Sequence, residues 1–502
     1  MITTDYEYLK QFEKEYSFIP VAKEIYGDRI TPITLLEKLT NISTDYYLLE
    51  SARSGERWGR YSFLGFQPTM RIKGKNKVVK IREHEKETTL NINQPMDAIR
   101  EVLSRFKSPY LTQLPSFTGG FVGYFSYEMF QYQEPILRLK NSEFNDFDLF
   151  LYDKVIAFDH FKQKIIIICN YDSKDGISGY QTAVEEIDKI IEIIEKKEED
   201  SKDFKVNYIN EKIQKEGKKL VNSERLEFKS NVSKETYIKM VMKAKDYIKE
   251  GDIFQVVLSR RFEAGFDKSL LNAYRVLRTS NPSPYMYYLH FDDIEIAGAS
   301  PETLVKLEQG KLTTFPVAGT RKRGNTKEED IALEHELLQD EKELAEHNML
   351  VDLARNDIGR IAKFNSVKVD EYMKIHRFSK VMHIASVVTG TLKDEMDGLH
   401  TISAMLPAGT LSGAPKIRAC EIINELEVAA RGIYGGAIGY IDFRGNVDVC
   451  IAIRTAIKKK DKVYVQAGAG IVSDSVPSLE YEECENKALA VIDAILRSGE
   501  VD

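Results

Sequence analysis

The sequence has only four cysteines, and their spacing excludes two kinds of site. Cys169, Cys420, Cys450 and Cys484 lie far apart, and none belongs to a C-x-x-C pair. The pattern therefore indicates neither a disulfide framework nor a zinc site, and it is typical of a reducing cytoplasm. The eight histidines include no H-E-x-x-H motif, so a centre built on paired histidines is not indicated either.

Long apolar runs and an excess of positive charge are also lacking. No eighteen consecutive residues are apolar, so no transmembrane helix is expected. Residues Met1 to Lys10 lack the basic and then apolar pattern of a secretory signal. The formal net charge is −7, which gives no basic surface for nucleic acid or an anionic membrane. We therefore expect a cytoplasmic chain with neither nucleic acid nor a membrane as partner.

The length predicts two large domains or one elaborate domain, because 502 residues with 43% hydrophobic content exceed one compact core. Short strand-like runs extend from Tyr46 to about Asn170. The segment Glu192 to Lys229 is densely charged, and we expect an amphipathic helix in its first part and an exposed connector after it. The predicted division is an N-terminal domain over 1–200, a connector over 201–229 and a second domain over 230–502.

The second half has clearer helix and strand patterns. Ser233 can cap a helix that stops at Gly251. Thr326 and Glu329 form a capping-box pattern that predicts one long helix reaching about Leu353. Three strands and a final helix are predicted at Ala437 to Phe443, Val449 to Ile457, Val463 to Ala467 and Ser478 to Arg497. Because strands and helices mix without regular βαβ alternation, we predict an α+β fold with antiparallel sheets.

Two glycine-rich segments, Gly435 to Tyr440 and Gln466 to Gly470, have two interpretations. Their backbone N–H groups can bind a carboxylate, or the glycines can mark a bulge or bend in a strand. Neither segment matches a dinucleotide or phosphate-binding glycine loop. The glycines alone favour the bend.

Arg454 lies in a predicted strand, where alternation places it on the face shared by Cys450, Ala452 and Ala456. A guanidinium beside small side chains has room to grip a carboxylate with two hydrogen bonds. A buried structural ion pair is an equally good interpretation. His383 lies in another strand-like run, where a lone histidine is more often a satisfied core residue than a proton-transfer group.

Glu346 lies on the predicted long helix in register with Leu350 and Leu353. A carboxylate beside an apolar stripe is costly to bury without a partner or a metal. Glu483 precedes Lys487 by four residues in the last helix, which is also the spacing of an ordinary exposed ion pair. Two glutamates, with substrate oxygens and water, would suit Mg²⁺, but their spacing alone does not bring them together.

Five long motifs together resemble the chorismate-utilising enzymes, and among them the large subunits of anthranilate synthase. They are Ala299 to Glu302, Pro316 to Arg321, Glu346 to Asp357, Pro407 to Lys416 and the Gly468 to Asn486 region. The resemblance implies antiparallel sheets packed as a β-sandwich-like core with outer helices. It also implies a lyase of tryptophan biosynthesis, which converts chorismate and ammonia to anthranilate and pyruvate through 2-amino-2-deoxyisochorismate.

The resemblance also assigns roles to residues. It implies that Glu346 and Glu483 bind the cofactor Mg²⁺, which holds the ring carboxylate. Glu302 matches the acid that protonates the departing C4 hydroxyl, and His383 matches a histidine of the later pyruvate elimination. Gln255 stands where relatives that add water carry a lysine; glutamine has no comparable basicity, which favours ammonia as nucleophile. The implied substrate-binding residues are Gly319, Thr320, Tyr434, Arg454, Gly468, Ala469, Gly470 and Lys487.

Two further segments, Leu48 to Ser51 and Asn281 to Met286, resemble those that hold L-tryptophan as a feedback inhibitor. Physically, the carboxylate in the first can take an amino group, and the second offers apolar surface to an indole. Without the resemblance, the second segment is an ordinary proline-rich turn. The implied inhibitor-binding residues are Glu50, Ser51, Pro284, Tyr285 and Met286.

The resemblance implies a separate partner, because no Cys–His–Glu amidotransferase unit is visible in the sequence. The partner would be a glutamine amidotransferase subunit, in a heterotetramer of two large and two small subunits. Two alternatives stay open: the large subunit of an aminodeoxychorismate synthase, and a non-catalytic tryptophan-binding sensor. Ala318 stands where the former commonly carries a lysine, which disfavours it. The joint presence of the acid, both metal ligands and the arginine argues against the sensor.

Overall fold

The computed structural model describes residues 4–51, 59–196, 226–377 and 381–501, which form two twelve-stranded antiparallel sheets. The first sheet contains, in spatial order, β1 (Phe18–Tyr26), β10 (Lys164–Asp172), β9 (Lys154–Asp159), β3 (Tyr61–Phe66), β2 (Tyr46–Glu50), β13 (Tyr285–Phe291), β14 (Ile294–Ser300), β23 (Thr455–Lys459), β24 (Lys462–Ile471), β12 (Gln255–Gly265) and β11 (Lys229–Ser230), with β20 (Gly413–Ala414) beside β12. The second contains β17 (Val317–Lys322), β19 (Val381–Thr391), β16 (Lys311–Thr314), β15 (Thr303–Glu308), β22 (Val447–Ile451), β21 (Ala437–Asp442), β7 (Gly120–Phe125), β8 (Phe147–Tyr152), β4 (Met70–Lys75), β5 (Val78–Glu83) and β6 (Lys86–Asn91), with β18 (Lys368–Arg377) beside β19.

Eleven α-helices occur in the described residues. They are α1 (Tyr6–Leu9), α2 (Pro32–Thr40), α3 (Pro95–Ser104), α4 (Gly176–Glu195), α5 (Lys234–Lys249), α6 (Leu271–Ser280), α7 (Lys327–Leu337), α8 (Glu341–Ile361), α9 (Gly398–Met405), α10 (Lys416–Leu426) and α11 (Pro477–Leu496). Short 3₁₀ helices lie at Lys10–Phe12, Tyr127–Tyr132, Ser173–Asp175, Gly409–Leu411 and Arg497–Val501. None of the described helices combines the length and hydropathy that a membrane crossing requires.

The main core lies between the two sheets. The Tyr47 ring of β2 meets the Tyr152 ring of β8 at 4.7 Å, and Phe150 of β8 stacks on Phe291 of β13 at 4.2 Å. In β10 the run Ile165–Ile168 is buried throughout, and α4 packs on this strand. Such a continuous β-branched run suits a strand that is covered on both faces. The predicted α+β fold with antiparallel sheets and outer helices is therefore confirmed.

Strands from both ends of the chain share each sheet: β2 pairs with β13, and β7 pairs with β21. An amphipathic helix is predicted for the first part of the charged segment Glu192 to Lys229. Helix α4 extends into this segment as far as Glu195, but it begins much earlier, at Gly176. Most of the predicted connector 201–229 lies outside the described residues. The division into domains 1–200 and 230–502 stays a prediction.

The prediction of one long helix from Thr326 is wrong, because two helices, α7 and α8, occupy this segment. Thr326 caps α7 as expected, accepting a hydrogen bond from the backbone N–H of Glu329. The Glu329 carboxylate, however, accepts from the N–H of Asn325, so the box is not closed as predicted. Asp340 caps α8 and also forms an ion pair with Arg321 at 2.8 Å. This acidic cap starts the second helix.

The single strand predicted from Val449 to Ile457 is also wrong. β22 ends in the second sheet and β23 begins in the first, so the chain crosses between the sheets at Ala452 to Arg454. The φ angle of Arg454 is 51°, in the left-handed region. Arg454 therefore does not share a strand face with Cys450 and Ala456, and the alternation argument fails.

Candidate active site

A cavity of about 610 Å³ lies where strands of both sheets meet helices α8 and α11. Eleven residues singled out from the sequence line it: Gln255, Glu302, Thr320, Glu346, His383, Tyr434, Arg454, Gly468, Gly470, Glu483 and Lys487. Gln255 and Lys487, the first and last of these residues in the sequence, are 232 positions apart. The fold thus places these eleven predicted catalytic, substrate-binding and metal-binding residues around one cavity.

Arg454 presents a guanidinium to this cavity. No hydrogen bond or ion pair joins its guanidinium to any residue in the described ranges. Burial lowers the pKa of Arg454, and Tyr434 nearby partly opposes this effect. The interpretation as a buried ion pair does not describe this residue. A buried guanidinium that faces a cavity is suited to a carboxylate ligand.

Glu302 follows the end of β14 and accepts a hydrogen bond from the Thr410 hydroxyl at 2.9 Å. Burial raises the pKa of Glu302 to about 7, and the Thr410 hydrogen bond and the charge of Lys487 oppose this increase. The pKa of an ordinary glutamate side chain lies well below neutral pH. Glu302 therefore holds a proton close to neutral pH and can donate it.

Carboxylates from two helices meet on another side of the cavity. Glu346 lies on α8, and Glu480 and Glu483 lie on α11. Burial raises the pKa of Glu346, and the charges of Glu343 and Glu483 add to this effect. The negative charges that raise the pKa of Glu346 also favour a cation bound beside it.

Lys487 supplies the positive charge on this side of the cavity. Its ammonium lies 2.6 Å from a Glu483 oxygen and donates to the Gly468 carbonyl at 3.1 Å. The i,i+4 pair considered from the sequence is therefore present. In the described ranges no three His, Cys, Asp or Glu residues are grouped as a metal site. Two glutamates that leave further ligand positions open fit Mg²⁺, which keeps waters and substrate oxygens as ligands.

His383 contacts two of the predicted substrate-binding residues. Its Nδ1 lies 2.9 Å from the Gly319 carbonyl and 3.0 Å from the Thr320 hydroxyl. A carbonyl can only accept, so Nδ1 carries the proton in the neutral ring and Nε2 is the basic nitrogen. Gly319 itself does not line the cavity, and neither does Ala469, which is fully buried opposite Leu258.

The glycines of β24 make room for side chains of the cavity wall. A Cβ atom on Gly468 would lie 2.9 Å from the Leu258 carbonyl oxygen and 3.0 Å from the Tyr434 hydroxyl, and one on Gly470 would lie 2.7 Å from Nε2 of Gln255. The other glycine-rich segment behaves differently, because a Cβ on Gly436 or Gly439 would collide with the backbone of a neighbouring strand. Close approach of the neighbouring strands accounts for that segment, and β21 pairs with β7 and β22 without a bulge.

Comparisons with known proteins fit this cavity. Residues 44–493 match the family model described as chorismate binding enzyme. The chain belongs to this family. It is 47% identical to anthranilate synthase component 1 of Acetivibrio thermocellus over 98% of each chain, and 44% identical to that of Aquifex aeolicus over 97% of each. Anthranilate synthase component I from Streptococcus pneumoniae has a solved structure with a TM-score of 0.72 and 37% identity, covering 93% of this chain and 98% of that one.

These matches place the chain in the anthranilate synthase component 1 group of the chorismate binding enzymes, and it is an enzyme of chorismate conversion. The sequence did not single out several polar residues of the cavity, among them Lys342, Thr410 and Glu480. Two signals were available: Thr410 lies inside a matching motif, and Glu480 lies one turn before Glu483 on α11. Lys342 lies four residues before Glu346 in the predicted long helix, and this i,i+4 spacing was a further signal.

The two segments with the implied inhibitor-binding residues lie side by side. Glu50 of β2 is directly opposite Met286 of β13, and Ser51 follows at the end of β2. Pro284 lines the cavity, while the Tyr285 hydroxyl donates to Asp448 at 2.8 Å. The five residues therefore do not all face one place: Pro284 faces the cavity, and the Tyr285 hydroxyl is bonded to Asp448.

The Glu50 carboxylate is already held by protein donors. The Tyr274 hydroxyl donates to it at 2.7 Å, and the Ser62 hydroxyl at 3.2 Å. Nε of Arg278 lies 2.8 Å from Oε2 of Glu50. An amino group bound there would share the carboxylate with these three donors.

Proposed function

We propose that the chain converts chorismate and ammonia to anthranilate and pyruvate by way of 2-amino-2-deoxyisochorismate. The observation that carries the proposal is the composition of one cavity, which contains the guanidinium of Arg454, the carboxylates of Glu346 and Glu483, and the acid Glu302. Chorismate has two carboxylates and a hydroxyl leaving group. Each of these groups has a partner of suitable chemistry in the wall.

Arg454 binds the enolpyruvyl carboxylate through its two-pronged guanidinium, with backbone donors near Gly468 and Gly470. Mg²⁺ would be held by Glu346 and Glu483, where it would neutralise the ring carboxylate. Lys487 lies beside both the glycine segment and Glu483, so it adds positive charge between the two carboxylate sites. Binding both ends of the substrate fixes the ring relative to Glu302 and supplies much of the rate enhancement by positioning.

In the first step ammonia forms a bond to C2 of the ring. The two ring double bonds shift toward C4, and the C4 hydroxyl leaves as water with the proton of Glu302. Gln255 in the wall has no basicity, so it cannot activate water as a competing nucleophile. In the second step His383 takes the proton from C2, the bond between C3 and the enolpyruvyl oxygen breaks, and the ring becomes aromatic. The released enolate takes up one proton on its methylene carbon and becomes pyruvate.

Ammonia comes from a separate glutamine amidotransferase in this proposal. The relatives are named as component 1, which supports a second component, and we propose a heterotetramer of two copies of each. Burial raises the pKa of the thiol of every cysteine in this chain. A glutaminase needs a reactive thiolate, so none of the four is suited to that role.

We also propose feedback inhibition by L-tryptophan, bound beside the paired β2 and β13 strands. Glu50 supplies a carboxylate for the amino group there, and Met286 opposite it supplies apolar surface. Residues 280–284 line the cavity, and the same connection leads directly into β13. A ligand at β13 therefore has a short covalent path to the cavity wall.

Anthranilate fluorescence tests the proposal. The purified chain is incubated with chorismate, Mg²⁺ and ammonium at mildly alkaline pH, with and without tryptophan. We expect a fluorescent product that tryptophan suppresses. Chorismate loss without anthranilate would favour an aminodeoxychorismate synthase instead, and tryptophan binding without any turnover would favour a sensor.

A further inference from the structure

A fully buried ion pair, Arg431 with Glu427, joins several walls of the cavity without lining it. The two side chains are 1% and 5% exposed, and their closest atoms are 2.6 Å apart. Arg431 also donates from Nη1 to the Leu411 carbonyl at 2.5 Å and from Nη2 to the Val257 carbonyl at 2.8 Å. Both of those residues line the cavity. The guanidinium thus ties the 3₁₀ helix Gly409–Leu411 to strand β12.

The Glu427 carboxylate is linked, through Ser259, to Gln466 of strand β24. One Glu427 oxygen accepts from the backbone N–H and the hydroxyl of Ser259, both at 2.8 Å. The Ser259 hydroxyl in turn accepts from Nε2 of Gln466, a cavity residue, at 2.8 Å. The Arg431 guanidinium also lies 5.7 Å from the ring centre of Tyr434. The ion pair is therefore bonded to the 3₁₀ helix and to β12, lies close to Tyr434, and is linked to Gln466 of β24 through the Ser259 hydroxyl.

Stability alone is a weak reason for such a pair. The desolvation of two charges cancels most of their attraction, and apolar replacements of similar volume are often as stable. The bonds to Leu411 and Val257 are directional, however, and they fix the 3₁₀ helix relative to β12. Thr410 belongs to that helix, and its hydroxyl donates to Glu302.

We propose that Arg431, together with Glu427, is a positioning residue for the acid Glu302, acting through the Leu411 carbonyl and the Thr410 hydroxyl. The inference rests on the proposed role of Glu302 in chorismate conversion. Turnover by the wild-type chain tests that role separately, before any variant is measured.

Arg431→Lys is the first variant, because it keeps the buried charge and removes the fork of hydrogen bonds. We expect kcat to fall by about 10²-fold, as a displacement of about 1 Å can do, while KM for chorismate changes little. The Thr410 hydrogen bond favours ionised Glu302, so its loss moves the alkaline limb of the pH profile to higher pH. A loss of activity with the limb unmoved, or a change in KM alone, would overturn the proposal.

A double-variant cycle separates positioning from a general loss of structure. Thr410→Val removes the hydroxyl, and Arg431→Lys should add little to its effect on kcat if both act through one hydrogen bond. Additive losses would overturn the proposal. Arg71→Lys is the matched control, because Arg71 forms an equally buried pair with Asp148 at 2.7 Å and lines no part of the cavity. It should leave kcat and the pH limb unchanged.

Two milder variants keep the test valid if Arg431→Lys does not fold. Glu427→Asp shortens the carboxylate and keeps both charges, while Ser259→Ala removes one donor to Glu427 and no charge. Both should lower kcat more than they raise KM, and both should move the alkaline limb in the same direction. If either folds and leaves the limb where it is in the wild type, the pair is structural only.

Discussion

Among the described residues, the Thr410 hydroxyl is the one hydrogen-bond donor to the carboxyl group of Glu302. Burial disfavours the ionised form of this group more strongly than Thr410 and Lys487 favour it, so its pKa rises to about 7. A general acid works best when its pKa lies near the operating pH. The environment of this one side chain therefore supports an acid role in the loss of the C4 hydroxyl.

The pH dependence of the reaction follows from that pKa. Glu302 must be protonated to act as the acid, so kcat/KM for chorismate should fall as the pH rises through about 7, when free NH₃ is held constant. Glu302→Gln should lower kcat by roughly 10²-fold or more and remove this limb. Its thermal midpoint at pH 8 should not decrease, because glutamine removes a buried charge. A wild-type limb that persists in the variant would exclude Glu302 as its source.

Glu346 gives a prediction on the metal. Glu346→Gln removes one anionic ligand, so the affinity for Mg²⁺, measured by calorimetry without substrate, should fall about tenfold or more, equivalent to ~1.4 kcal/mol. Most activity should be lost while the fold is kept. Glu341→Gln, an exposed residue at the start of the same helix, is the control and should bind Mg²⁺ normally. Wild-type turnover of Glu346→Gln at ordinary Mg²⁺ would refute the assignment.

Two elements show where sequence patterns stop being sufficient. The break between α7 and α8 contains no glycine or proline, and its signal is the capping carboxylate of Asp340, which a helix interior also tolerates. The run Val449 to Ile457 alternates like one strand, but its two halves pair in different sheets. Strand pairing is a long-range property, and local periodicity does not contain it. Helices with strong caps, such as α5 after Ser233, were predictable.

The start of α8 matters to the site, because this helix carries Glu346. Asp340→Ala removes the cap and the ion pair with Arg321, and the free energy of unfolding should fall by about 1–2 kcal/mol. Asp340→Asn keeps a capping acceptor and loses only the charge, so about 0–1 kcal/mol is expected. Urea titration of both variants measures the difference. Equal losses would mean that the ion pair, and not the cap, stabilises the helix start.

At the scale of the whole molecule, the cavity depends on strands that come from distant parts of the chain. Each of the five long motifs contributes at least two residues to the cavity lining, and the resemblance assigned others outside the motifs, among them Gln255, His383 and Arg454. Nor did the sequence identify the partners of Glu50, which lies outside the cavity lining: Tyr274 and Arg278 belong to a helix more than 200 residues away. Such contacts exist only after β2 has paired with β13.

The proposed inhibitor site gives a prediction at this scale. Glu50→Gln neutralises the carboxylate that would bind the amino group of tryptophan. We expect the inhibitory concentration of tryptophan to rise by about tenfold or more, since a charged hydrogen bond contributes roughly 1.5–3 kcal/mol. Activity without tryptophan should stay near that of the wild type. Glu37→Gln, a partly buried residue of α2 outside β2 and β13, is the control. Unchanged inhibition of Glu50→Gln would place the tryptophan site elsewhere.

Isotope tracing of the product tests the central claim most directly. The purified chain is given chorismate, Mg²⁺ and ¹⁵N-labelled ammonium, and the products are identified by mass spectrometry; a parallel sample receives glutamine instead. The account predicts ¹⁵N-labelled anthranilate and an equal amount of pyruvate from ammonium, and no anthranilate from glutamine. Three results would contradict it: a ¹⁵N-labelled aminocyclohexadiene carboxylate formed without pyruvate, formation of isochorismate, or anthranilate formed from glutamine by this chain alone.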